Sequence, residues 1–259
     1  MRCAVVGHVE WVEFAEVVAV PPPGGIANAI AFWEEPAGGG SVVSAQIARL
    51  AGGCDFFTAL GDDDLGHRSV ERLSELGVTV HSEWMGATRR AWTYVDANRE
   101  RTITTLGPKL RPSGPLPLAG YDLVFFVAGN AEALRSARAA RFLGATPREL
   151  PTLREGGVAL DLLVGSGNDP GERYDGGLDA ALVVQTDGAH GGIADGRRYE
   201  AATPPGPLSD TYGAGDSFAA ALSFGLARGD ELAAALDLAT RAGAAVVSGR
   251  GPYSTQISA

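Results

Sequence analysis

Cysteine is almost missing from this chain. Cys3 and Cys54 are the two in 259 residues, each inside an apolar run, so a disulfide framework is excluded and both read as small buried hydrophobes. The four histidines, His8, His67, His81 and His190, show no metal-ligand spacing. Positive charge is the minority sign: 21 Lys and Arg stand against 31 Asp and Glu, a net charge of −10. Such a surface repels phosphate backbones and anionic headgroups, which argues against nucleic acid and membrane as partners. No apolar run approaches the roughly 20 residues that span a bilayer. The opening MRCAVVGHVEW has too short an apolar part for a secretory leader, and a cytoplasmic location is expected. Two phosphate-binding motifs are missing as well. The first strand is not followed by Gly-x-Gly-x-x-Gly, and Gly-Lys-Ser/Thr does not occur. A dinucleotide-dependent dehydrogenase and a Walker-type NTPase are both disfavoured.

What is present has the balance of a globular protein, 45% hydrophobic and 20% charged. Short apolar runs at 3–9, 54–60, 121–129, 157–165 and 180–186 read as buried strands. Helix-compatible segments cover 42–50, 65–76, 131–143, 146–155, 216–227 and 231–248. Apolar strands alternating with helices predict a doubly wound α/β fold, its mainly parallel sheet flanked by helices. Residues 11–33 and 88–105 break the rhythm with strand alternation and no helix. Within the second, Asp96 to Glu100 (DANRE) suits a turn between two strands. These strands predict a small β-sheet lid over the binding face of a single domain, 1–259.

One stretch carries chemistry: SDTYGAGDSFAAALSFGLARG, residues 209–229. Gly213, Ala214 and Gly215 stand directly before Asp216, and an alanine-rich helical run follows. The first amides of a helix lack intrahelical partners, and its dipole adds partial positive charge there. Small residues let an anion come close. Asp216, at the same helix mouth, is placed to accept a proton from a hydroxyl, and phosphoryl transfer asks for both devices. The plainer alternative is a capping acid with turn glycines.

Asp210, Thr211, Gly213, Ala214, Gly215, Asp216 and Phe218 together resemble the C-terminal signature of the ribokinase-like, PfkB-type carbohydrate kinases. PAGGGSVVSAQIARLAGG (36–53), TALGDDDLG (58–66), YVDANRERTI (94–103), VVQTDGAHGG (183–192) and AGAAVVSGRGP (242–252) follow in that family's order. The resemblance implies a ribokinase-like fold with a β lid. It also implies ATP with Mg2+ as phosphoryl donor and a sugar or sugar-like small molecule as acceptor. Asp216 becomes the general base, and the backbone of 213–216 the anion hole. Thr186, Gly188, Thr211, Gly249 and Gly251 become nucleotide-side positions. Taken singly, Thr186 and Gly188 also suit a strand-to-hairpin turn, and the last two glycines a helix end.

In the family's cation-binding segment this chain has LVGSGNDPGE, which offers Asp169 and Glu172, while Arg148 in TPRE is a candidate phosphate contact. Gly38, Gly39 and Gly40 imply close backbone approach to the acceptor. The family's polar sugar contacts fall near Val12 and Val42. Either Glu13 and Asn28 take over, or the acceptor is less polar than ribose or fructose. A nucleoside kinase of the same fold and a non-catalytic nucleotide- or sugar-binding sensor are the alternatives. Exposed lid strands leave a homodimer contact open.

Overall fold

The computed structural model describes residues 1–258. The chain opens with β1 (Cys3–Val6), β2 (Glu10–Glu16), β3 (Ala31–Ala37) and α1 (Gly39–Ala51). Next come β4 (Cys54–Leu60), α2 (Asp64–Glu75), β5 (Val78–Trp84) and a hairpin, β6 (Arg90–Val95) with β7 (Arg101–Leu106). The middle holds β8 (Leu123–Phe126), α3 (Ala131–Ala137), β9 (Phe142–Ala145), α4 (Leu150–Gly156) and β10 (Leu162–Ser166). The last part supplies β11 (Val183–Thr186), β12 (Gly192–Ala194), β13 (Arg197–Tyr199), α5 (Ala214–Arg228) and α6 (Leu232–Val246).

Nine strands form one sheet in the order β13-β12-β11-β10-β9-β8-β1-β4-β5, parallel from β11 to β5. Paired phenylalanines show why its strands read as unbroken apolar runs. Phe56 and Phe125 point into the core shared with α1, α5 and α6, whereas their neighbours Phe57 and Phe126 pack with Leu134 and Leu153 of α3 and α4. Successive side chains of a strand face opposite ways, so a sheet covered on both sides buries every one. Each buried phenylalanine contributes about 1.5–3 kcal/mol. The alanine content of α5 and α6 has its own cause. A methyl on Gly225 would sit 3.1 Å from Ala235 Cβ, so the two helices lie close.

β1 lies between β4 and β8, and the chain fills the sheet outward on both sides of it. At such a reversal the crevice beyond the carboxyl ends of the strands is where open α/β sheets take ligands. His8 and Val127 stand there, just past β1 and β8.

The other four strands form a separate sheet, ordered β3-β2-β6-β7, as residues 11–33 and 88–105 predict. In the β6–β7 turn, Asp96 Oδ1 accepts from the Asn98 and Glu100 amides at 2.8 and 3.1 Å. Val12 and Phe14 register with Ala91 and Thr93 on one face. Phe14 stacks on Trp33 at 4.9 Å and meets the edge of Tyr212 at 5.1 Å, which turns that face toward the large sheet.

One expectation needs correction. The 131–143 helix stops at Ala137, and Phe142–Ala145 is a buried strand between β8 and β10. Gly144 belongs there because a side chain would collide with Phe125, 2.7 Å away. β5 and the β12–β13 hairpin were not foreseen. That hairpin turns through Asp195 and Gly196, both at positive φ (49° and 73°), the Asp-Gly signal of a tight two-residue turn.

Candidate active site

The start of α5 is built from a buried acid. Asp210 is 1% exposed, and its carboxylate accepts the Tyr212 amide at 2.8 Å and the Gly251 amide at 3.2 Å. The chain then turns through Gly213 at φ 82°. A side chain there would strain the backbone and lie 3.0 Å from Val42 Cγ1. The Tyr212 hydroxyl accepts the Gly38 amide at 3.1 Å, tying the start of α1 to the start of α5.

The two helix starts thus meet beyond β1. Among the described residues, the amides of Gly213, Gly215 and Asp216 have no acceptor, while Ala214 N–H reaches the Thr211 carbonyl only at 3.5 Å. Nothing lies within 4 Å of where a Gly215 methyl would stand. Protein packing therefore does not require that glycine, and the open space fits a phosphate or similar anion. Opposite, a methyl on Gly39 would be 3.0 Å from Asp216 Oδ1 and 3.1 Å from Val127 Cγ1. The bare backbone of Gly39 leaves the carboxylate room.

Burial raises Asp216 to a pKa of about 6, and the negative charge of Glu172 adds to it, while Arg101 and Arg148 pull the other way. A carboxylate so tuned remains ionised at neutral pH yet binds a proton far better than a surface acid. The same cleft holds His8 and Glu10 beside Gly38, whose added methyl would approach them at 3.2 and 3.4 Å. Burial, then the charges of Lys109, Arg89, Arg111 and Arg148, keep His8 well below the usual imidazole range. Glu10 pairs with Arg89 at 3.3 Å, and burial pushes its carboxyl up against the pull of Arg89 and Lys109. His8 Nδ1 is buried without a hydrogen-bond partner, and the Arg89 Nε to Glu10 Oε2 ion pair lacks hydrogen-bond geometry. Such atoms are costly unless something fills the need.

The sequence-predicted residues divide. Gly213, Ala214, Gly215, Asp216, Gly38 and Gly39 converge. Gly40 belongs to the frame, since a methyl there would press 2.6 Å from the His8 carbonyl. Thr211 lies beside the motif, its hydroxyl donating to the Arg99 carbonyl at 3.3 Å. Thr186 ends β11, and Gly188 follows in a short turn at φ 55°. Side chains on Gly249 and Gly251 would collide with Thr255 and Glu35, so packing accounts for these glycines.

Glu13 and Asn28 do not reach the site. Glu13 registers with Glu34 and Trp92 on the lid face opposite Phe14, where it pairs with Arg90. Asn28 lies in the exposed loop before β3. Val12 and Val42 are fully buried and offer a ligand nothing polar. Asp169 and Glu172 both hold Arg148, at 2.5 and 2.8 Å. No group of three His, Cys, Asp or Glu is poised for a metal among the described residues. Sequence reasoning passed over Arg89, Lys109 and Arg101, and weighed His8 only for metal-ligand spacing.

A doubly wound sheet, a β lid and an acid behind open helix amides define a small-molecule kinase architecture. The model of the pfkB carbohydrate kinase family matches residues 2–124 and 176–258, and the chain belongs to that family. Fructokinase from Klebsiella pneumoniae is 29% identical over 269 residues, covering 83% of this chain and 87% of that protein. Acarbose 7(IV)-phosphotransferase from Actinoplanes sp. is 44% identical over 71 residues, 25% of this chain and 24% of its own length. Ribokinase from Cryptococcus neoformans, solved with ADP, has the same fold at TM-score 0.80 and 23% identity, covering 99% of this chain and 97% of that one. No helix among the described residues is long and apolar enough to cross a membrane.

Proposed function

We propose that this chain transfers the γ-phosphoryl group of ATP, carried as its Mg2+ complex, to a hydroxyl of a sugar or sugar-like molecule. One observation carries the reading: the half-buried Asp216 carboxylate stands beside the unpartnered amides of Gly213, Gly215 and itself. In this reading the amides take the charge on the phosphoryl oxygens. Asp216 takes the proton of the attacking hydroxyl. Gly38 and Gly39 bring the acceptor against backbone, with His8 and Glu10 offering the polar atoms that Val12 and Val42 do not. The names of the curated relatives, a fructokinase and an acarbose phosphotransferase, support a carbohydrate acceptor.

The test is ADP release by purified protein with ATP and a panel of fructose, ribose, acarbose and adenosine. Turnover with one of the sugars, reduced about 10²–10⁴-fold by Asp216→Asn with ATP affinity within a few-fold, is the expected result. Turnover with adenosine alone would move the acceptor to the nucleoside class. ATP binding without turnover of any acceptor would favour a sensor.

A further inference from the structure

The two cysteines, far apart in sequence, are neighbours across the large sheet. β1 and β4 run parallel with Ala4 opposite Asp55 and Val5 opposite Phe56, and one step back along that register sets Cys3 opposite Cys54. Both positions are held as strand on their other sides, Cys3 by Leu123 of β8 and Cys54 by Val78 of β5. Cys3 and Cys54 share the core of Val5 and Phe56, whereas Ala4 and Phe57 belong to the opposite face. The two side chains therefore stand next to each other on one face. Adjacent strands lie about 4.8 Å apart, inside the roughly 4.4–6.8 Å Cα separation that a disulfide spans. Both cysteines are free thiols. A cleft of about 360 Å³ opens beside them at the amino ends of the strands, where Arg2, Gly52, Gly53 and Thr79 also line it. A methyl on Gly52 would have nothing within 4 Å, and one on Gly53 only the Gly77 carbonyl at 4.0 Å. Bare backbone thus leaves a small reagent room to reach the thiols, at the end of the sheet away from the crevice.

We infer that Cys3 and Cys54 form a redox pair, which closes as a disulfide by exchange with a small-molecule disulfide of the glutathione class. The inference does not depend on the kinase reading. One cysteine thiolate attacks a sulfur of the small disulfide, whose S–S bond breaks and releases one thiol. The second cysteine thiolate attacks the protein sulfur of that mixed disulfide and releases the other. One S–S bond forms in the protein as one breaks in the oxidant. Two electrons pass to the small molecule, and the two cysteine protons end on its thiols. Burial pushes Cys3 up to about 11 and raises Cys54 as well, where Cys3 and Asp55 add to the effect. Few thiolates exist at neutral pH, so the exchange is slow there. The new bond closes a loop from 3 to 54 that contains β2, β3 and α1, and with them Gly38 and Gly39. Cross-linking so long a loop removes disorder from the unfolded chain, and the native fold gains stability.

The test holds the folded, unaltered protein with oxidised glutathione at about pH 8.5, where exchange is faster, until its composition is constant. Intact mass should fall by two hydrogens with no glutathione retained, and both free thiols should be lost. Digestion without reductant should yield the Cys3 peptide joined to the Cys54 peptide. The oxidised protein should melt roughly 5–10 °C above the reduced one, and dithiothreitol should reverse both changes. Cys3→Ala and Cys54→Ala, treated alike, should gain neither the bond nor the higher Tm. The inference is overturned if both thiols survive in the folded protein under a redox mixture that oxidises the urea-unfolded chain. It is overturned too if the folded protein stops at a glutathione adduct, or if the bond joins two chains. An internal bond that leaves Tm unchanged or lowers it also overturns it, because the strands would then have to distort to make it.

Discussion

At the scale of single residues, Asp216 ties activity and stability to one number. Its pKa of about 6, set first by burial and then by Glu172, is the point below which a general base becomes protonated. Turnover at low substrate should therefore fall about tenfold per pH unit below about 6 and level off above it, measured as kcat/KM from pH 4.5 to 8. Stability has the opposite sign. An acid whose folded pKa lies above its unfolded value of 3.8 holds its proton more tightly in the native state. Its contribution is full below pH 3.8 and disappears as pH rises through 6. Asp216→Asn should therefore stabilise the protein by about 1–3 kcal/mol at pH 7.5, with the gain gone by pH 4. Urea unfolding at the two pH values decides this, and a variant less stable than the parent at pH 7.5 would show that the buried charge is not a strained one.

At the scale of elements, the start of α5 separates glycines required by the fold from those left free by it. Gly213 has φ 82° and would push a side chain against Pro252 and Val42, at 2.9 and 3.0 Å. Gly213→Ala should cost about 1–3 kcal/mol of stability. Gly215 is inside the helix with nothing around it. Gly215→Ala should leave stability unchanged or raise it by about 0.5–1 kcal/mol, yet weaken ATP binding roughly tenfold, as the methyl intrudes on the anion's approach. Denaturation and calorimetry on the pair would show the two effects dissociating, and unchanged ATP affinity in Gly215→Ala would count against the anion hole. This helix start was legible in the sequence because its unusual residues are local and consecutive. β9 was not, because four apolar residues after an alanine-rich helix carry no period of their own. What makes them a strand is pairing with β8 and β10. The lid failed in a different way. Its strands were legible from alternation, but whether Glu13 meets the cleft depends on which face turns inward. That face is fixed by Phe14 meeting Tyr212, a contact between distant parts of the chain.

At the scale of the whole molecule, the acids that titrate unusually lie together where the lid sheet meets the large one. Glu35, on the same lid face as Val12, is raised to about 7 by burial and by Asp210, against the pull of Arg72. Asp216 is raised to about 6 across the same seam. Both weaken the fold as pH climbs from 4 to 8. His8 opposes them, since its lowered pKa means that acidification below 6.5 favours the unfolded chain, which takes up the proton freely. Four raised acids, Glu10 and Asp210 with Glu35 and Asp216, against one lowered histidine leave a net loss of stability as pH rises from 5 to 7.5, in the direction in which the proposed base becomes active. The expected outcome is a higher Tm at pH 5 than at pH 7.5 for the protein without ligands. Glu35→Gln should lift the pH 7.5 value toward the pH 5 one, and Asp216→Asn with Glu35→Gln should narrow the gap further, leaving Glu10 and Asp210 to oppose His8. A Tm that rises steadily from pH 5 to 7.5 in the unaltered protein would place its pH-sensitive charges elsewhere than in the seam. The narrowed gap in the double variant would tie the cost of assembling the site to the closure of one sheet upon the other.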